Sequence, residues 1–126
     1  MLNINFDYFN ITSYYNNHFM KTLTINDINV KIGVNQLENQ ELIDAMEPEH
    51  TWFHIEHLPS AHLTIPVSFK KLKKQNLYYI ALELKKNSKY KKTNNISVIY
   101  THRNCLKLTD TPGKVIVTGK INTINV

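Results

Sequence analysis

The run Thr51-Trp52-Phe53-His54-Ile55-Glu56-His57-Leu58-Pro59-Ser60-Ala61-His62-Leu63-Thr64-Ile65-Pro66-Val67-Ser68-Phe69 sets two β-branched and aromatic segments on either side of a turn. Strands are predicted over residues 51–57 and 62–69, joined by Leu58-Pro59-Ser60-Ala61. Side chains alternate along a strand, so Trp52, His54 and Glu56 share one face while Phe53, Ile55 and His57 share the other. The turn brings His62 back beside the first strand. Downstream, residues 72–87 read as a long helix with Leu72, Tyr79, Ala81 and Leu84 buried. Upstream, residues 19–34 hold two alternating segments, Leu23 and Ile25, then Ile28, Val30 and Ile32. Asp27 and the neighbouring asparagines supply a hairpin turn between them. Residues 36–46 read as a short helix with Leu37, Leu42, Ile43 and Met46 near one face, Glu38 and Glu41 in its first turns, and Pro48 ending it. Further strands are expected over residues 4–9, 96–101, 114–118 and 121–126, with Pro112-Gly113 as a turn. Strands before and after one long helix, with short connections, predict a single α+β domain over residues 1–126, mainly antiparallel, with one long and one short helix.

The length of 126 residues suits one domain with a modest core. With 42% hydrophobic and 20% charged residues and only three Gly and four Pro, disordered, collagenous and low-complexity classes are excluded. Cys105 is the one cysteine, which excludes a disulfide framework and a Cys-based zinc site and suits a reducing compartment. No apolar run approaches the ~18 residues of a spanning helix, and Met1-Leu2-Asn3-Ile4-Asn5 is not the charged start of a signal peptide. The expectation is a soluble, cytoplasmic domain with no membrane partner and no cofactor. Lys outnumbers Arg 14 to 1, a bias that also follows from an A/T-rich coding genome such as that of an amoebal parasite or a large DNA virus, so lysine count alone argues weakly for a polyanion partner.

The layout of the lysines says more than their number. Residues 1–69 carry a net −6 and residues 70–126 a net +11. Two clusters dominate: Lys70, Lys71, Lys73 and Lys74 at the start of the long helix, then Lys85, Lys86, Lys89, Lys91 and Lys92 at its end and beyond. Cations at a helix C-terminus are stabilised by the macrodipole, whereas those at the N-terminus are not. The first cluster therefore points to a bound anion, and the two together to a nucleic-acid footprint. Arg103 and Lys107 extend the basic set.

Of the residues that carry chemistry, His54 and His62 are candidates for a general acid/base pair, since imidazole titrates near neutral pH. His54 and His57 point to opposite faces and no His-Glu-x-x-His spacing is present, which argues against a metal site. Cys105 lies beside Arg103, but no nucleophile has a plausible partner. Trp52, Tyr78 and Tyr100 are available for base stacking, worth ~1–3 kcal/mol per base, or for the core.

The run His50-Thr51-Trp52-Phe53-His54 … Leu58-Pro59-Ser60-Ala61-His62 resembles the Asp-x-Trp-Phe-His … Leu-x-Gly-Ser-His or Leu-x-Ser-Ala-His centre of the NFACT-R family, the RNA-binding domain of NFACT proteins. Three further segments agree in order: Ile32-Gly33-Val34-Asn35 … Glu38-Asn39 … Leu42; Ile96-Ser97-Val98-Ile99-Tyr100-Thr101 … Leu106-Lys107; and Pro112-Gly113-Lys114-Val115. Ser60-Ala61-His62 and Asn95 are similar to the stand-alone eukaryotic branch, coiled-coil domain-containing protein 25 and its relatives. The resemblance implies an α+β domain that binds RNA and, in full-length members, works in ribosome-associated quality control of translation. This chain departs from it at His50, where the family usually has Asp, and at Ala61, where most members have Gly, and it is expected to lack the coiled coil of the stand-alone branch.

The expected function is binding of structured RNA, tRNA or ribosomal RNA, with the ribosome as a further partner and no catalysis. Phosphates would be neutralised by Lys70, Lys71, Lys73, Lys74, Lys85, Lys86, Lys89, Lys91, Lys92, Arg103 and Lys107. Gly33, Asn39, Trp52, His54 and His62 would form a motif-lined pocket for a base or an RNA end. The alternatives are an RNA-processing or RNA-modifying enzyme using His54 and His62, and a protein-interaction module.

Overall fold

A computed structural model describes residues 11–12 and 20–126; the strand expected over residues 4–9 lies outside them. Asn26 and Asp27 both adopt positive φ, 48° and 66°. Two consecutive residues of this kind make the hairpin turn whose twist matches that of its strands. It joins β2 (Lys21–Ile25) to β3 (Ile28–Gly33), with Ile25 opposite Ile28. A short β1 (Ile11–Thr12) pairs outside β2. Next come α1 (Gln36–Asp44), β4 (Thr51–Ile55), β5 (His62–Ile65), α2 (Lys74–Lys86), β6 (Ser97–His102) and β9 (Asn122–Asn125). The main sheet runs β1-β2-β3-β5-β4-β6-β9, every pairing antiparallel. Between β6 and β9, β7 (Leu106–Leu108) and β8 (Val115–Val117) form a separate two-stranded ribbon. This is the expected antiparallel α+β architecture.

Alternation sorts the sheet into two faces. Leu23, Val30, Phe53, Leu63 and Val98 bury themselves on one, where α2 covers them with Leu77, Ile80, Ala81 and Leu84. Each such side chain contributes roughly 1.5–3 kcal/mol when fully buried. On the opposite face Trp52 packs with Ile43 of α1, Leu106 of β7, and Val115 and Val117 of β8.

Several local expectations are corrected. Leu37 is 68% exposed, and Glu38 is buried at 5% in its stead. The helix start explains this: Asn35 Oδ1 accepts the Glu38 N–H (2.9 Å), and Glu38 Oε1 accepts the Val34 N–H (2.9 Å), a reciprocal cap that draws Glu38 inward. β4 ends at Ile55 because the chain turns at His57 (φ 62°), leaving that ring exposed in the turn. β5 stops at Ile65, before Pro66, which has no N–H for a ladder. α2 begins at Lys74, after a 3-10 turn (Phe69–Lys71) capped by Ser68, so Leu72 precedes the helix and is half-buried, as is Tyr79. β7 was not expected at all.

Candidate nucleic-acid interface

The sheet face opposite α2 carries a cleft of about 830 Å³ where the four motif segments meet. Gly33 ends β3, and a Cβ there would overlap Asn39 Oδ1. Its absence lets that oxygen accept the His62 N–H (3.2 Å), tying α1 to β5. On the far rim Gly113 (φ 80°) donates its N–H to Gln40 Oε1 (2.8 Å), and a Cβ there would come within 2.6 Å of the Gln36 carbonyl oxygen. The Pro112-Gly113 turn thus sits directly on the start of α1.

Trp52 is 2% exposed and donates its indole N–H to His62 Nδ1 (3.0 Å). The His54 ring stacks on the Trp52 ring, centroids 5.5 Å apart and planes within 8°, and meets His62 edge-on at 5.1 Å. An indole only donates, so Nδ1 of a neutral His62 is the acceptor and its proton sits on Nε2. Burial, helped by the neighbouring His54, pushes the His62 imidazole down to about 3. Burial also lowers His54, with the backbone at Ile55 and Ser60 acting the other way. At neutral pH His62 is uncharged. All five expected pocket residues, Gly33, Asn39, Trp52, His54 and His62, are thereby brought together. Among the described residues no three His, Cys, Asp or Glu side chains gather as a metal site requires. At the departure His50, Nδ1 accepts the Glu47 N–H (3.1 Å), so an acceptor is retained there.

The lysine clusters lie elsewhere. Lys70, Lys71, Lys73 and Lys74 are exposed around the start of α2, and Lys86, Lys89, Lys91 and Lys92 are exposed at its end and in the loop beyond. α2 covers the other sheet face, so pocket and clusters are back to back. Tyr78 is exposed between the clusters, whereas Tyr100 packs against Phe53 and Phe69. Lys89 Nζ stands 5.9 Å from the centre of the Tyr90 ring.

Two members of the expected basic set are used internally. Lys85 is buried and donates to the Val126 oxygen (3.2 Å). Arg103 donates from Nε to the Ile43 carbonyl (3.1 Å) and from Nη1 to the Leu106 carbonyl (3.0 Å), bracing α1 against β7. Lys86 reaches Glu83 at 3.7 Å, and Lys107 is exposed on β7.

Three features escaped the sequence reading. Lys114 lines the cleft, and Lys31 is exposed on the sheet face of Trp52. Alternation with Val30 and Ile32 is the signal that places Lys31 there. Ser68 Oγ lies 2.7 Å from His102 Nε2, and the His102 ring stacks on Phe69 at 4.4 Å. Ser68 Oγ also accepts the Lys70 N–H (3.2 Å), so this serine caps the 3-10 turn. Among the described residues no helix is long and apolar enough to cross a membrane.

Comparison with known proteins agrees with this architecture. Coiled-coil domain-containing protein 25 of Bos taurus and of Mus musculus is 34% identical over 85 residues, covering 64% of this chain and 41% of the relative. The Danio rerio protein is 33% identical over the same length. The chain thus spans about two fifths of these relatives, as the 41% coverage states. Among solved structures, the C-terminal part of the fibronectin/fibrinogen-binding protein from Streptococcus suis superposes with a TM-score of 0.76 at 22% identity. That match covers 86% of this chain and 45% of the other, and establishes the shared fold. The profile of the NFACT protein RNA binding domain matches residues 16–125, and the chain belongs to that family.

Proposed function

We propose that this domain binds structured RNA, tRNA or ribosomal RNA, by phosphate contacts from the lysines at both ends of α2. The observation that carries the reading is the placement of two exposed clusters, Lys70, Lys71, Lys73 and Lys74 against Lys86, Lys89, Lys91 and Lys92, at opposite ends of a 13-residue helix. Such a helix is about 20 Å long, which sets the clusters apart for separate phosphates. The first cluster sits at the positive end of the helix dipole with no acidic residue in that turn, a cost that a bound polyanion offsets. Family membership supplies RNA as the polyanion.

Binding without turnover is the reading the pocket supports. His62 Nδ1 is engaged by Trp52, and the ring is neutral at physiological pH, so it is a poor proton donor and an occupied base. We further propose that the domain acts with the ribosome in cytoplasmic translation quality control; co-sedimentation with ribosomal subunits on a gradient tests this. The primary experiment is fluorescence anisotropy with labelled tRNA, single-stranded RNA and duplex DNA across a salt series. Log K for tRNA should fall steeply with log salt, and each of Lys70, Lys71, Lys73 and Lys74 changed to Gln should reduce the slope by about one unit per lost phosphate contact. Weak, equal binding of all three ligands at physiological salt would overturn the reading.

A further inference from the structure

We infer that the cleft on the face away from α2 is a second RNA site, which takes an unpaired nucleotide by presenting two side-chain hydrogen-bond donors, from His62 and Asn39, to the base. The inference rests on the RNA-binding reading above and assigns a separate surface within it.

Two donors converge on the cleft without an acceptor among the described residues. Trp52 occupies His62 Nδ1, so the His62 proton is on Nε2, and no acceptor meets that atom. The His62 side chain is 5% exposed and lines the cleft, yet Nε2 is not sealed from solvent in the way that Glu38 Oε2 is. Asn39 spends its Oδ1 on the His62 N–H, which turns its amide into a second donor. Among the described residues the lining holds no Asp or Glu, and its one charged side chain is Lys114, placed for a phosphate. Apolar walls come from Val34, Pro59, Ile99 and Pro112.

This chemistry selects a ligand that brings acceptors to the floor, flat apolar faces to the walls and an anion to the rim. A nucleotide has all three. The size agrees, since the cleft falls within the ~300–1,000 Å³ range of pockets that engulf one small molecule. A duplex cannot enter, because its base edges are paired and stacked, whereas a splayed nucleotide can. Guanine offers O6 and N7 side by side, while adenine sets an amino donor beside N7, against the donors of the floor.

The test uses a blunt RNA hairpin, the same hairpin with two unpaired 3′ guanosines, and one with two unpaired 3′ adenosines, read by anisotropy at moderate salt. The guanosine overhang is expected to bind at least tenfold more tightly than the blunt hairpin, and the adenosine overhang to fall between them. Val34→Glu, at a rim position 61% exposed and so tolerated by the fold, introduces a carboxylate into the donor-lined cleft and should erase the guanosine increment while blunt-hairpin binding persists. Trp52 is the single tryptophan, so its indole N–H resonance should move with the overhang RNA and stay fixed with the blunt one. Equal affinity for blunt and overhang hairpins overturns the cleft inference and leaves the α2 reading standing. Equal affinity for guanosine and adenosine overhangs overturns the donor floor. Failure of every hairpin to bind, even at low salt, overturns the RNA reading itself.

Discussion

His62 makes folding stability depend on pH between neutrality and about pH 5. The folded protein holds this imidazole neutral, its pKa pushed down to about 3 by burial and by His54, whereas in the unfolded chain it takes up a proton near the ordinary 6.5. Between those values the unfolded state binds one more proton than the folded state. Stability therefore rises with pH there, and is lost as pH falls below about 6.5. One proton corresponds to a slope of about 1.4 kcal/mol per pH unit, so lowering the pH from 7.5 to 5 should cost about 2 kcal/mol from His62 alone. His54 and His102 are lowered too and act in the same direction. Ordinary carboxylate values, about 4, lie below this range of pH. Urea unfolding at half-unit pH intervals gives the slope, and His62→Gln, which keeps an acceptor for the Trp52 indole but cannot titrate, should lower it by about one proton. The His62 ring resonance, followed directly, should not titrate between pH 8 and 5. A midpoint near 6.5, or a slope unchanged in His62→Gln, would refute the reasoning.

Other substitutions probe the supports of the cleft. Trp52→Phe strands His62 Nδ1 without its donor and shrinks a buried ring, for a loss of about 2–4 kcal/mol in chemical denaturation. Gly33→Ala drives a Cβ into Asn39 Oδ1 and breaks the bond to the His62 N–H; the midpoint should fall by about 1–3 kcal/mol of stability, more than for Gly119→Ala, where the atom met is the cysteine Sγ. Gly113→Ala strains a φ of 80° and should cost about 1–2 kcal/mol, with the Gln40 amide resonance reporting the detached turn. Arg103→Ala removes two bonds to backbone carbonyls and should destabilise by about 2–3 kcal/mol, while tRNA affinity measured well below the unfolding midpoint changes less than for Lys71→Gln.

Much of the fold was legible because its signals are local. Asn26-Asp27 between two alternating segments specifies a hairpin, and the strand at residues 51–55 shows its two faces directly. The pocket was legible because its motifs sit at strand ends and turns that fold onto one place. What stayed hidden depends on partners distant in sequence. Lys85 follows Leu77, Ala81 and Leu84 on the buried stripe of α2, so helical periodicity alone would have turned it inward; its place in a lysine run concealed that. The role of Arg103 rests on a carbonyl 60 residues away. β7 is three residues long and gains its structure only by pairing with β8. Above all, a run of lysines has no intrinsic face, so only the packing of α2 shows that the clusters turn away from the cleft.

The back-to-back arrangement has a consequence for which RNAs the domain would favour. On the proposed reading, an oligonucleotide of a few residues reaches one side of the sheet and gains only that contact. A folded RNA able to curl around a sheet edge engages the second side as an intramolecular event, at an effective concentration set by the length and stiffness of the intervening strand. Such avidity falls away when the strand is too short to span the edge, and declines again when it is long and slack. The thickness of one β-sheet and its packed helix would then act as a ruler, selecting RNAs by the distance between a duplex and its nearest unpaired nucleotide.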